Sequence, residues 1–114
     1  MYHVYDIEWI GYEEADLILC DGIYQIKCFS HPCYSKIGDS LDETLFCMFS
    51  DSVMKIQKRY DIIQQNDMNI LCGKVINKKE KLLKIGGFTF QLEVLPNDID
   101  DNDFVKVVCG RIDI

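Results

Sequence analysis

Residues Ala15–Phe29 read ADLILC-DG-IYQIKCF, two apolar-rich runs either side of an Asp21-Gly22 pair, and this stretch decides the fold class. A two-residue type I′ turn needs positive φ at both central residues, which Asp tolerates and Gly adopts freely, and its twist matches that of paired strands. The register that follows sets Cys20 opposite Ile23, Leu19 opposite Tyr24, Leu17 opposite Ile26 and Ala15 opposite Cys28 on one apolar side. Asp16 then meets Lys27 on the other side, where an opposite-charge cross-strand pair adds roughly 0.2–1 kcal/mol. Turn chemistry, alternation and charge all choose a β-hairpin.

Upstream, Tyr2–Ile10 alternates with Tyr5, Ile7 and Trp9 on one side and Asp6 and Glu8 on the other, the period of a half-buried strand, with a bend expected at Gly11. Downstream, SHPCYSKIGDSLDE reads as a loop around Pro32 and Gly38-Asp39. Leu45–Phe49 then resumes as a strand that is apolar on both faces, so its second side calls for cover. Ser50-Asp51-Ser52 fits a helix cap, and Val53, Ile56, Tyr60 and Ile63 follow at spacings of three, four and three, which predicts one amphipathic helix over about residues 52–65. The Met54-Lys55-Ile56 alternation is also compatible with a strand there. Met68–Ile76 reads as a strand, 81–85 with 88–94 as a second hairpin around Gly86-Gly87, and Phe104–Ile114 as a last strand. In that last strand the apolar side switches from Val105, Val107 and Cys109 to Ile112 and Ile114 around a kink at Gly110.

Strand, strand, strand, helix, strand, strand is the element order of the OB-fold, a small Greek-key barrel. The region Ala15–Asp39, with its DG, FSHPC and IGD, together with the terminal GRIDI, resembles small bacterial OB-fold-like proteins of unknown function. The resemblance implies a mainly β, OB-like barrel of five to six strands with one helix and assigns no catalytic residues; the hairpin at 81–94 is an addition to its pattern.

The 114 residues, 48% hydrophobic, suit a single domain over 1–114 with one core. No apolar run approaches the roughly 20 residues that cross a bilayer, and the N-terminus lacks a basic region followed by an apolar one, so a soluble cytoplasmic protein with no membrane contact is expected. Cys20, Cys28, Cys47, Cys72 and Cys109 sit inside or at the ends of apolar runs, where free cysteine packs as a small hydrophobe, while Cys33 falls in the loop; reduced thiols follow.

The net charge of −7 argues against a general polyanion binder. The charge is uneven, however. Between Lys55 and Lys84 eight basic residues meet three acidic ones, whereas the rest of the chain sets four basic residues against sixteen acidic ones.

Cys28, His31 and Cys33, with Cys47 or His3 as a fourth, supply zinc-type ligands, but their spacing is wrong for a knuckle and Cys28 falls on the apolar face. Asp98, Asp100 and Asn102 match the first positions of a calcium loop, whose required glycine and terminal glutamate are replaced by Asp103 and Cys109. No metal or other cofactor is therefore expected. Two histidines and no nucleophile-elbow or phosphate-loop signature leave little for an enzyme. A binding module acting through a basic protein partner is the leading expectation, in a specific version an immunity or inhibitor-type protein. The docking charges are the acidic segments 6–16, 39–51 and 98–103, with Asp98, Asp100, Asp101 and Asp103 joined by His31 and Tyr34. The alternative is single-stranded nucleic acid, tracked by Lys74, Lys78, Lys79, Lys81 and Lys84, with Tyr12, Tyr34 and Phe46 as stacking candidates.

Overall fold

Ten strands and no helix make up the computed structural model, which describes residues 1–114. They are β1 (Tyr2–Gly11), β2 (Glu14–Cys20), β3 (Gln25–Ser30), β4 (Ser40–Leu41), β5 (Leu45–Ile56), β6 (Asp61–Gln65), β7 (Met68–Asn77), β8 (Leu82–Ile85), β9 (Phe88–Gln91) and β10 (Phe104–Asp113). The sheet order is β4-β1-β2-β3-β10-β5-β9-β8-β7-β6, and β10 pairs in addition with β7. That extra pairing closes five strands, β5, β9, β8, β7 and β10, into a barrel. All its ladders are antiparallel except β5 with β9. No edge remains within the ring, which is how a small barrel disposes of unpaired backbone.

The expected helix over 52–65 is absent. β5 continues to Ile56, the chain bends over 57–60, and β6 follows. The β-branched Val53 and the apolar Ile56 find Val107 and Phe104 directly across the ladder, so pairing with an apolar neighbouring strand overrides a 3-4-3 spacing that only local packing would satisfy. Ser50-Asp51-Ser52 is a bulge: Val108 faces Ser52 while Cys109 faces Ser50, leaving Asp51 as the extra residue. The kink at Gly110 lies opposite Phe49, one residue pair beyond this bulge. Val105, Val107, Cys109 and then Ile112 are buried, and across the kink β10 exchanges its partner β7 for β3.

Two further expectations change. The Ala15–Phe29 hairpin forms, but its register is displaced by two residues: Cys20 faces Gln25, Leu19 faces Ile26 and Leu17 faces Cys28. An even slip keeps every side chain on its own face. Its cause is Asp21, whose Oδ1 accepts the N–H groups of Ile23 and Tyr24 at 2.9 and 2.7 Å and opens the turn to four residues. This hairpin, with β1, forms a meander that joins the barrel through β3 and β10 and is not one of the barrel's strands. The second hairpin, β8–β9, is by contrast integral to closure.

One core of 22 buried residues runs through both parts, from Val4, Leu17 and Ile26 in the meander to Phe88, Phe90 and Val107 in the barrel. The acidic loop after β9 contributes Ile99 to it. Asp21 also joins the two parts at the surface, because its Oδ2 accepts the Gly87 N–H at 2.6 Å. The second face of β5 lacks the cover expected for it, as Phe46 and Phe49 are exposed. No helix is long and apolar enough to cross a membrane.

Candidate partner-binding surfaces

The acidic loop and the lysines, expected as alternative sites, meet each other in the fold. Asp101 Oδ1 accepts the Lys78 backbone N–H at 2.6 Å, Asp100 pairs with Lys78 Nζ at 3.3 Å, and Asp103 pairs with Lys55 at 3.3 Å. The backbone is stitched in the same way, Val75 N–H donating to Asp103 O and Asn102 N–H to Val75 O. Asp103 also accepts the Asp100 N–H, which together with Lys55 holds its carboxyl below the usual carboxylate range. Three of the four carboxylates are thus occupied in anchoring the loop, and only Asp98 stands without a partner. Of the residues with calcium-like spacing, Asp100 is taken by Lys78, Asn102 enters only through its backbone N–H, and Asp98 stands alone. On the other side, Lys78 Nζ donates to Asn97 O and Lys81 Nζ to Glu93 O.

The remaining cations divide sharply. Lys74 and Lys84 face each other across β7 and β8 on the outer side of the barrel, and Phe104 lies beside Lys74 on β10. Tyr60 packs edge-on against Phe104, ring centroids 5.2 Å apart. Lys58, Arg59 and Lys106 line an adjoining hollow of about 460 Å³. One acid, Asp61, sits among them and bonds Arg59 at 2.7 Å. This basic face includes only Lys74 and Lys84 of the lysines expected to track a nucleic acid. Tyr60 escaped notice because helical spacing assigned it to a buried face, and Lys106 because it lies far along the chain; β-pairing brings both together.

Tyr34 and His31 are exposed and line a hollow of about 450 Å³ with Asp39 and Glu43. They belong with the β1–β2 turn, not with the acidic loop, since Tyr34 OH donates to Glu13 Oε2 at 3.2 Å and the Cys33 N–H to Glu13 O at 2.6 Å. Cys33 lies in the loop expected for it and is buried there. All six cysteines are free thiols, and no group of three or more His, Cys, Asp or Glu side chains is arranged to hold a metal.

The meander presents the opposite charge. Asp6, Glu8 and Asp16 share its outer face, where Lys27 reaches Glu8 at 3.0 Å and Asp16 at 3.7 Å. Trp9, which points to the opposite face of β1 with Ala15 across from it, is 58% exposed, and toward the β1–β2 turn Ile10 is 57% and Tyr12 88% exposed. Exposed aromatic and aliphatic side chains in one group, rimmed by charge, mark interaction sites on soluble proteins. Tyr12, Tyr34 and Phe46 are all exposed, but they lie apart from the cations of the barrel face.

Where β10 leaves β7 for β3 a cleft of about 490 Å³ opens, lined by Lys27, Gln64, Asn69 and Arg111 among others. Gln64 spans it as a surrogate strand: its amide accepts the Lys27 N–H and donates to Lys27 O, both at 2.8 Å. Arg111 holds Asp113 through two bonds of 2.6 and 2.9 Å and lies over the rings of Phe29 and Phe49. The cleft has no histidine, and its thiol, Cys28, is pushed up to about 12 by burial and by the nearby Asp16 and Asp113 carboxylates, which leaves it a poor nucleophile. Comparison with protein-family models, curated proteins and solved structures finds no match to this chain.

Proposed function

We propose that the chain is a non-enzymatic binding module of the cytoplasm that acts through a basic protein partner, docked along the β1 side of the β1–β2–β3 meander, whose two faces carry the carboxylates and Trp9. The observation that carries this reading is the coincidence of Asp6, Glu8 and Asp16 with the exposed Trp9, Ile10 and Tyr12 on one projecting element. Aromatic anchors supply affinity and the carboxylates choose the sign of the partner. The acidic loop 98–103 is a secondary contributor, through Asp98. An immunity or inhibitor-type role, masking a cationic protein, is the specific form of this function.

An OB-like barrel is the scaffold we infer for it. What supports this is the strand order read from β7: strand, strand, strand, a connecting loop with its buried Ile99, then β10, with β5 as the fifth strand. The order differs from the expected one in starting at β7 and in having a loop where the helix was expected. Likeness of fold is a weak warrant for activity, so the surface chemistry carries the function.

The test is capture from the native cell by the wild type and by two variants. Asp6→Lys/Glu8→Lys loses the partner, whereas Asp100→Ala/Asp101→Ala keeps it; equal recovery by all three refutes the reading. A second reading, single-stranded nucleic acid on the barrel's basic face, is favoured by the grouping of Lys74, Lys84 and Lys106 with Tyr60 and Phe104. Cations that follow a phosphate backbone beside an aromatic ring make a stacking platform. Salt-dependent retention of an oligonucleotide, lost in Tyr60→Ala/Lys106→Glu, would establish it, and no retention at low salt removes it.

A further inference from the structure

Only the start of β1 has a neighbour on its outer side. β4 pairs with Tyr2 and His3, and Val4 exchanges backbone bonds with Asp39 O and the Gly38 N–H. Beyond Val4 no strand lies on that side, so the edge from Asp6 to Gly11 is open. The Ile7 N–H identifies the open direction: it donates to the Asp6 carboxylate at 2.9 Å, not to β2. Two-residue alternation directs the Trp9 N–H the same way. An open edge accepts an added strand by backbone pairing, with side-chain contacts on alternate residues setting specificity.

The side chains along this edge specify what such a strand must carry. Asp6 and Glu8 stand opposite Ile18 and Asp16 on the outer face, whereas Ile7 and Trp9 stand opposite Leu17 and Ala15 on the other. We propose that the open edge of β1 takes up an extended basic segment of a protein partner as an added strand, with Lys or Arg against Asp6 and Glu8 and apolar residues beside Ile7 and Trp9. This rests on the binding-module reading and gives it a mode. A second copy of the chain is a poor occupant. In the antiparallel self-pairing centred on Ile7, Asp6 meets Glu8 of the other copy twice, and like charges directly opposite are destabilising.

The Asp6 carboxylate makes the edge selective. While it holds the Ile7 N–H, that donor is closed to an uncharged strand. A cation opposite Asp6 gives the carboxylate another partner and frees the N–H for the incoming carbonyl. Asp6 has no ion pair of its own, whereas Glu8 already shares Lys27.

Trp9 is the only tryptophan, so its emission reports on this edge directly. The probes are an eight-residue peptide alternating Lys and Val, its block-ordered isomer with the four lysines together, and the alternating peptide N-methylated on every second amide. The alternating peptide should bind at least tenfold more tightly than the block isomer, slow hydrogen exchange at the Ile7 and Trp9 amides, and lose binding on N-methylation. Asp6→Asn/Glu8→Gln keeps an acceptor for the Ile7 N–H, removes the charge, and should weaken binding at least tenfold. Equal binding of the two isomers, or unchanged amide exchange at saturation, overturns the added strand while leaving the acidic docking reading intact. Sedimentation showing a dimer that protects the same amides also overturns it and assigns the edge to a second copy. Failure of the docking reading itself shows differently, as unchanged capture by Asp6→Lys/Glu8→Lys.

Discussion

Asp21→Ala removes one side chain that does two jobs, and its cost follows from the hydrogen bonds. Oδ1 accepts from Ile23 and Tyr24 within the turn, and Oδ2 accepts from Gly87 in the β8–β9 hairpin at 2.6 Å. A hydrogen bond to a charged group contributes about 1.5–3 kcal/mol net. The Ile23 N–H lies in an exposed turn and regains water, while the Tyr24 and Gly87 bonds are part-buried and regain it poorly, so roughly 3 kcal/mol is the expected loss. With a urea slope of about 1.5 kcal/mol/M, the unfolding midpoint falls by about 2 M. Asp21→Asn separates charge from shape, because an amide keeps the Oδ1 acceptor and turns a donor toward the Gly87 N–H; its loss should be intermediate. Burial raises the Asp21 pKa, but the N–H groups of Tyr24, Gly87 and Ile23 outweigh it and hold the carboxyl below its ordinary 3.8. A depressed carboxyl stabilises the fold fully above its unfolded value and loses that contribution as pH falls through the folded one. The gap between wild type and Asp21→Asn should therefore be flat from pH 7 to about 5 and close below about 4. A loss under about 1 kcal/mol for Asp21→Ala, or a gap that does not change with acid, refutes the assignment of Asp21 as the tie between meander and barrel.

Leu17→Ala, at a fully buried position between β1 and β3, should cost about 2–5 kcal/mol in denaturant titration. Gly73→Ala sets a Cβ 2.7 Å from the Lys84 carbonyl oxygen and 2.5 Å from Ile85 Cγ1, so β7 and β8 must part; a loss above about 2 kcal/mol is expected, against a smaller loss of about 1 kcal/mol for Gly38→Asn, where the space is open and only the positive φ strains the new residue. The Glu8 carboxylate, and secondarily Asp16, holds the Lys27 ammonium above its ordinary value, so its stabilising contribution is full below about 10.5 and declines as pH rises through the folded value. Thermal melts between pH 9 and 11.5 should fall more steeply for wild type than for Lys27→Met.

Much of the strand order was legible in alternation: β1, β2, β3, β7 and β10 lie within a residue or two of where period-two patterning puts them. The helix was misread at residues where two periods coexist. Val53, Ile56, Tyr60 and Ile63 satisfy a helical stripe, and only the presence of an apolar β10, half a chain away, decides for the strand. The hairpin register was misread by two because a turn's length depends on what Asp21 bonds, and one of its partners, Gly87, is 66 residues distant. The acidic site was legible as charge but not as availability: nothing local in DIDDND says that Lys55 and Lys78 lie against it.

That internal pairing explains how a chain of net charge −7 presents two faces of opposite sign. A loop carrying Asp100, Asp101 and Asp103 folds back on Lys55 and Lys78, and these charges largely cancel where the core contributor Ile99 needs the loop closed. Elsewhere the meander carries Asp6 together with Glu8 and Asp16, which share the single Lys27, and the barrel carries Lys58, Lys74, Lys84 and Lys106, none of which has an ion pair. Breaking the cancellation tests the separation. Asp100→Ala/Asp101→Ala leaves the Lys78 ammonium without its carboxylate, so the positive charge of the barrel should grow, and retention on a sulfonate cation exchanger should increase by more than in Asp98→Ala/Glu80→Ala, which changes the net charge equally. Binding of the alternating Lys-Val peptide should stay within twofold in both variants, since the edge of β1 belongs to the other part of the molecule. Equal retention of the two variants would mean that the loop carboxylates screen nothing and that the sign of each face is set by composition alone.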